Sequence, residues 1–392
     1  MTDRSKNSGS LKVDIRSSQM DTSSIPKQIQ VLGADLSLKE TAWVNNNEWQ
    51  HDLPAGMYVV RLNFSSGTQM EQVVELGEER TTNTVFDIDE LGTNQAVDWR
   101  YLVKSNAVSD IQSSEFRNDQ KPVFLQNISG RRWQWNGSGW HALDIDTMQD
   151  QLISAEGTHY QLFTSEMLEM LELRGPDRDS IFICLPPGHT LDILITAGEG
   201  PFSTVTDLDV CITTTNYKAQ SLLSLISAGD INKARTLITV KEAEQLLFEK
   251  MADPASAAIG GYFLLKTGEL ERMHDWAKNL ANRFEWFPDG LVLYAWQLIQ
   301  DKNQAEGVSN NAIKQLLLEA VRRGVPVYTE GLRLLYEGIN MMAYEEGHSD
   351  QEVSAACTLV RKYVDAADMG KDTTTFTGSA PDKPGFSRVK SR

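Results

Sequence analysis

Close to Tyr217 the apolar residues of this chain change their spacing. Before that point, short runs such as Tyr58-Val59-Val60-Arg61-Leu62-Asn63-Phe64 and Ile181-Phe182-Ile183-Cys184-Leu185 stand between Gly, Pro and Asn, as strands do. After it, apolar positions recur at helical intervals almost to the last residue. A period of two and a period of 3.6 cannot be satisfied by one kind of element, so the chain must fold as β structure followed by α structure. A length of 392 residues accommodates two or three domains with ordinary cores.

The spacing predicts six segments. Residues 1–27 read as a flexible arm with a weak strand candidate at Leu11-Lys12-Val13-Asp14-Ile15, available to a sheet edge. Residues 28–90 read as a small β-sandwich, 91–119 as a polar linker and 120–215 as a second β-rich domain. In the first sandwich Ser65-Ser66-Gly67-Thr68 reads as a hairpin connection, and in the second domain Pro186-Pro187-Gly188-His189 reads as another. Ser165 to Leu171 reads as either strand or short capped helix. Residues 216–370 read as an α-helical, repeat-like domain, and 371–392, rich in Thr, Gly, Pro, Lys and Arg, as a disordered tail.

Within the helical part, Gly229-Asp230-Ile231-Asn232-Lys233 and Gly268-Glu269-Leu270-Glu271-Arg272 repeat one order: Gly, acid, aliphatic, polar, base. The two copies lie 39 residues apart and each follows a helix, as stacked helix pairs would leave them. Gly260-Gly261, inside a helical pattern with no strand before it, marks close helix packing in preference to a phosphate cradle.

Two resemblances enter on these residues. Leu53-Pro54-Ala55-Gly56-Met57-Tyr58-Val59-Val60 resembles the turn and following strand of carboxypeptidase-regulatory-like or PEGA-like β-sandwich modules, over about sixty residues. That resemblance implies a non-catalytic spacer or ligand-presenting unit. Residues 218–345 resemble degenerate tetratricopeptide-like helical repeats through the Gly turn alone, since the Trp and Pro signature positions of that family are not filled. The stretch from Ala257 to Trp296 is also similar to helical regions of uncharacterised bacterial multidomain proteins, which implies a peptidase-linked or defence system.

Charge and cysteine usage narrow the function classes. A formal net charge of -17 repels nucleic acid, whose binding needs a Lys/Arg surface. Three scattered cysteines, Cys184, Cys211 and Cys357, form neither a disulfide framework nor a CxxC metal site and suit a reducing compartment. No apolar h-region opens the chain and no run is long enough to span a membrane, so the expected location is cytoplasmic.

No GxSxG elbow, Walker loop, GxGxxG after a strand or HExxH helix occurs. His141, Asp144 and Asp146 alternate faces on a strand, so one metal ion would see only part of the set. Cys184 and His189 bracket a turn that could bring them onto paired strands, but the Ile-Phe-Ile-Cys-Leu run favours a buried, inert thiol. No catalytic residue, cofactor site or metal site is therefore expected. Aromatic residues are the remaining binding signal. Trp133 and Trp135 share a strand face near Trp140, Arg131 and Arg132, as stacking platforms for sugars or peptides do. Trp276, Trp286 and Trp296 cluster around Pro288. For both groups the favoured reading is a plugged core, the commoner fate of large aromatics. The expectation is a non-enzymatic adaptor or scaffold that binds a protein partner through its helical domain. The rival is a carbohydrate- or peptide-binding protein using Trp133, Trp135 and Trp140.

Overall fold

The computed structural model describes residues 8–16, 27–44, 47–64, 69–88, 128–143, 151–153, 157–175, 179–197, 208–214, 216–301, 309–345 and 350–385. The layout is β then α, with two compact units, Met1–Asp119 and Gln120–Arg392. The expected linker at 91–119, the hairpin connection at 65–68, and Asp144 and Asp146 lie outside the described residues.

In the first unit, β1 (Ser8–Arg16) pairs antiparallel with β4 (Glu48–Pro54) and parallel with β7 (Thr81–Asp87). A second sheet has the order β3 (Leu38–Val44), β2 (Lys27–Gly33), β5 (Gly56–Phe64), β6 (Gln69–Leu76), all antiparallel. Leu11, Val13 and Ile15 of β1 are buried at alternate positions, as are Val60 and Leu62 of β5, and this fits a β-sandwich. The expected flexible arm is thus corrected in part: its Leu11 to Ile15 stretch is the middle strand of a sheet, because β4 and β7 hydrogen-bond to its two edges. Inside β2, buried Gln28 is satisfied by Asn63, whose Nδ2 donates to its Oε1 at 2.9 Å.

The second unit holds the remaining strands and the helices. One sheet runs β10 (Gln151–Ile153), β11 (Gly157–Phe163), β14 (Thr190–Ala197), β15 (Leu208–Thr214). The other runs β17 (Lys383–Pro384), β16 (Thr375–Ala380), β13 (Ser180–Leu185), β12 (Glu169–Arg174), β8 (Ser129–Trp135), β9 (Trp140–Leu143). Leu162, Leu173, Leu185, Ile193 and Ile212 belong to one buried cluster drawn from both sheets. The helix alternative for Ser165 to Leu171 is corrected: Leu168 to Leu173 are buried throughout, which an inner strand requires and a surface helix does not.

Nine α-helices follow among the described residues: α1 (Tyr217–Ser227), α2 (Ile231–Leu237), α3 (Val240–Phe248), α4 (Pro254–Thr267), α5 (Trp276–Arg283), α6 (Pro288–Gln300), α7 (Asn310–Arg323), α8 (Thr329–Glu345) and α9 (Gln351–Ala366). Local chemistry sets their starts. Thr239 and Glu242 form a reciprocal capping box on α3, and Asp253 caps α4 ahead of Pro254, whose missing N–H costs nothing in the first turn. Both repeated Gly turns have the same geometry: φ is +75° at Gly229 and +74° at Gly268, and the next residue's N–H reaches back to Leu225 O and Leu264 O respectively. The first turn leads into α2, the second into a 3-10 turn at Leu270–Met273. Gly260 lets α4 approach α3, since a Cβ there would lie 2.6 Å from Ala243 O.

The expected disordered tail, 371–392, is also corrected over its described residues, 371–385. Thr375–Ala380 completes the larger sheet against β13, and Phe376 is buried against Phe182 at 5.4 Å and Tyr363 at 5.1 Å between ring centroids. Buried Asp372 accepts from Gln220 Nε2 at 3.2 Å and Ser224 Oγ at 2.8 Å on α1. The helices and the second β-rich region therefore form one unit, closed by the strand that follows α9. Among the described residues, no helix is long and apolar enough to cross a membrane.

Candidate functional site

The six tryptophans singled out by sequence fall into different surroundings. On β8, Arg132 faces inward and pairs with Glu169, and its guanidinium also donates to Phe163 O at 3.0 Å. Trp133 and Trp135 therefore share the opposite face. Trp133 Nε1 donates to Glu172 Oε2 at 2.9 Å, and the Arg131 guanidinium lies 5.8 Å from its ring centroid. Trp135 and Trp140 are cross-strand partners, half-buried, with centroids 5.5 Å apart and planes tilted by 54°. Asn136 folds the turn between them by accepting from the backbone N–H groups of Ser138 and Gly139, each at 3.0 Å.

Trp296 is committed to helix packing: its Nε1 donates to Leu334 O at 2.8 Å, joining α6 to α8. Trp286 sits among Phe284 at 5.9 Å and fully buried Phe287 at 5.3 Å, just before α6 begins at Pro288. Trp276, the first residue of α5, is different. It is half-buried and touches Phe248 at 5.1 Å and His274 at 4.5 Å between ring centroids. Phe248 is 53% exposed, so an apolar surface adjoins Trp276, and Met251, three residues further along the chain, is 66% exposed.

Charged groups border that surface. His274 Nε2 lies 2.9 Å from Glu244 Oε1, and Arg272 Nη1 donates to Glu244 Oε2 at 3.2 Å. The hydrogen bond from His274 leads in holding the Glu244 carboxyl below its ordinary range, with Arg272 adding to it against a smaller cost of burial. His274 has φ +44° and ψ −144°, a conformation that side chains resist, and Gln297 Nε2 anchors its carbonyl at 3.0 Å. Lys250, in the 3-10 turn after α3, is buried with its Nζ 5.3 Å from the Trp276 centroid and 5.9 Å from that of Phe248. Burial lowers its pKa.

The catalytic alternatives meet specific obstacles. Cys184 is buried and its thiol is pushed well above its ordinary pKa, by burial first and then by the negative charge of Asp289. The His189 ring is oriented by Asp253, 2.9 Å away, an arrangement that would suit a base but that leaves the buried Cys184 thiol unactivated. His141 is exposed on β9, and among the described residues no cluster of His, Cys, Asp or Glu could hold a metal ion.

Sequence reasoning missed Phe248, Lys250, Met251 and His274. A large apolar residue at the very end of α3 was a visible signal for Phe248. Nothing local marks the backbone of His274 or the rings around Lys250, because Trp276 is 26 residues away in sequence.

No curated protein matches the chain. Among solved structures, a 9R-lipoxygenase from Cyanothece PCC8801 aligns at 8% identity over 86% of this chain and 67% of that chain; its TM-score of 0.14 carries no argument. Residues 221–392, the helices together with the strands that follow them, match the family model described as the Y4kD C-terminal domain.

Proposed function

We propose that this protein is a non-enzymatic adaptor whose helical region captures another protein while the β-rich parts position or tether it. The observation that supports this reading is the apolar surface of Phe248 and Trp276 on the helical region, bordered by charged side chains, with exposed Met251 three residues after Phe248 in the chain. A hydrophobic centre with a polar rim is the usual anatomy of a protein interface. The burial of Cys184 and its raised thiol pKa support the non-catalytic side of the reading. Buried thiols at Cys184 and Cys211 suit a reducing cytoplasm.

The test uses the full chain in its native host. A photo-crosslinking residue at Met251 is expected to trap one protein species, and Phe248→Asp is expected to abolish the trap. Trapping that is indifferent to Phe248→Asp overturns the reading.

The half-buried Trp135 and Trp140 pair supports a second reading, a carbohydrate or peptide platform on the β8–β9 hairpin. Tryptophan quenching by a glycan panel, lost in Trp135→Ala with folding intact, would establish it.

A further inference from the structure

Among the described residues, Lys250 is a buried cation without an anion. Its side chain is 7% exposed, and its one hydrogen bond among the described residues, to Phe248 O, is long at 3.4 Å. The neighbouring carboxylates are spent elsewhere: Glu249 accepts from Gln245 Nε2 at 2.6 Å, and Glu244 holds Arg272 and His274. An ammonium has three N–H donors, and a lysine head is ordinarily left in water when its stem is buried. The end of α3 offers this charge a favourable dipole, and two aromatic rings offer their faces, but neither supplies an oxygen for the remaining N–H groups. Beside the cation stand exposed Phe248 and Met251 and half-buried Trp276.

We propose that Phe248, Lys250, Met251 and Trp276 form a docking site for a protein segment presenting a carboxylate beside a large apolar side chain, the carboxylate completing Lys250. This rests on the adaptor reading and gives its partner a chemistry. The apolar side chain covers Phe248 and Met251, and the oxygen atoms accept the donors that the described residues leave over.

The full chain tests this with 3-phenylpropionate against 3-phenylpropionamide, read by the indole N–H resonance of Trp276, which Trp276→Phe assigns. A charge-assisted hydrogen bond predicts that the acid shifts this resonance at a concentration about tenfold below the amide. Lys250→Met keeps the apolar stem, and in it the acid and amide are expected to act alike. Equal action in the parent chain, no shift with either compound up to about 10 mM, or an acid preference that survives in Lys250→Met overturns the proposal. So does a Trp276 resonance that moves with protein concentration alone while sedimentation shows a dimer, since a second copy would then cover the face. A partner trapped by a chain with no acid preference counts against this site alone; an acid preference with no partner trapped counts against the adaptor reading alone.

Discussion

His189 Nε2 and Asp253 Oδ1 lie 2.9 Å apart, so the turn between β13 and β14 is tied to the N-terminus of α4. The same carboxylate accepts the Ser256 N–H at 2.8 Å, and Asn216 Nδ2 reaches its other oxygen at 3.3 Å. One side chain thus serves as helix cap and as the joint between sheet and helices. Burial pushes the Asp253 pKa up, but the hydrogen bond and charge of His189 and the bonds from Ser256 outweigh it and hold it below the ordinary carboxylate value. Its contribution is therefore present above about pH 4 and lost as pH falls through the folded-state value. Asp253→Ala is expected to cost about 1–2 kcal/mol at neutral pH in urea unfolding, and less in acid. An equal cost at pH 7 and pH 3 would contradict this.

Asp289 has the opposite sign. It is fully buried, accepts from Val327 N and the Tyr262 phenol at 2.8 Å each, and burial still raises its pKa to about 6. The folded chain then binds this proton more tightly than the unfolded chain between about pH 4 and pH 6. Stability from this group is highest below that window and falls by about 3 kcal/mol as pH rises through it. Asp289→Asn removes the slope while leaving one N–H without an acceptor. Urea unfolding across pH 4 to 7 is expected to show the parent chain losing ground relative to the variant; parallel profiles would argue against it.

Phe376 is 1% exposed and packs against Phe182 and Tyr363. Phe376→Ala is expected to cost about 3–5 kcal/mol, seen as a lower urea midpoint for the second unit. A shift under about 1 kcal/mol would mean that β16 adds little to the sheet.

Gly331 in α8 has no room for a methyl group: its Cβ would stand 2.6 Å from Asp289 Oδ1 and 2.9 Å from Pro326 Cβ. Gly331→Ala is expected to destabilise by about 1–3 kcal/mol through overpacking, measured by thermal unfolding, despite its better helix propensity. A stabilised variant would show that this contact yields easily.

The switch from strand to helix near Tyr217 was legible because it depends on local spacing, and Pro254 marks the start of α4 by an equally local rule. What was not legible depended on distant partners. Leu11 to Ile15 alternate correctly for a strand, yet only β4 and β7, far along the chain, make that strand internal. Thr373 to Thr377 are polar apart from Phe376, so their place beside β13 could not be read from composition. The aromatic surface was half legible: Trp276 stood out as a residue type, whereas Lys250 gains meaning only from the rings that fold over it.

The position of β16 also dictates the order in which this protein can be built. Its residues leave the ribosome after all nine described helices, so the edge of β13 stays uncovered through most of translation. The second unit must therefore complete its folding late, and a nascent chain stalled before Thr375 would present an open, aggregation-prone strand to the quality-control machinery of the cell.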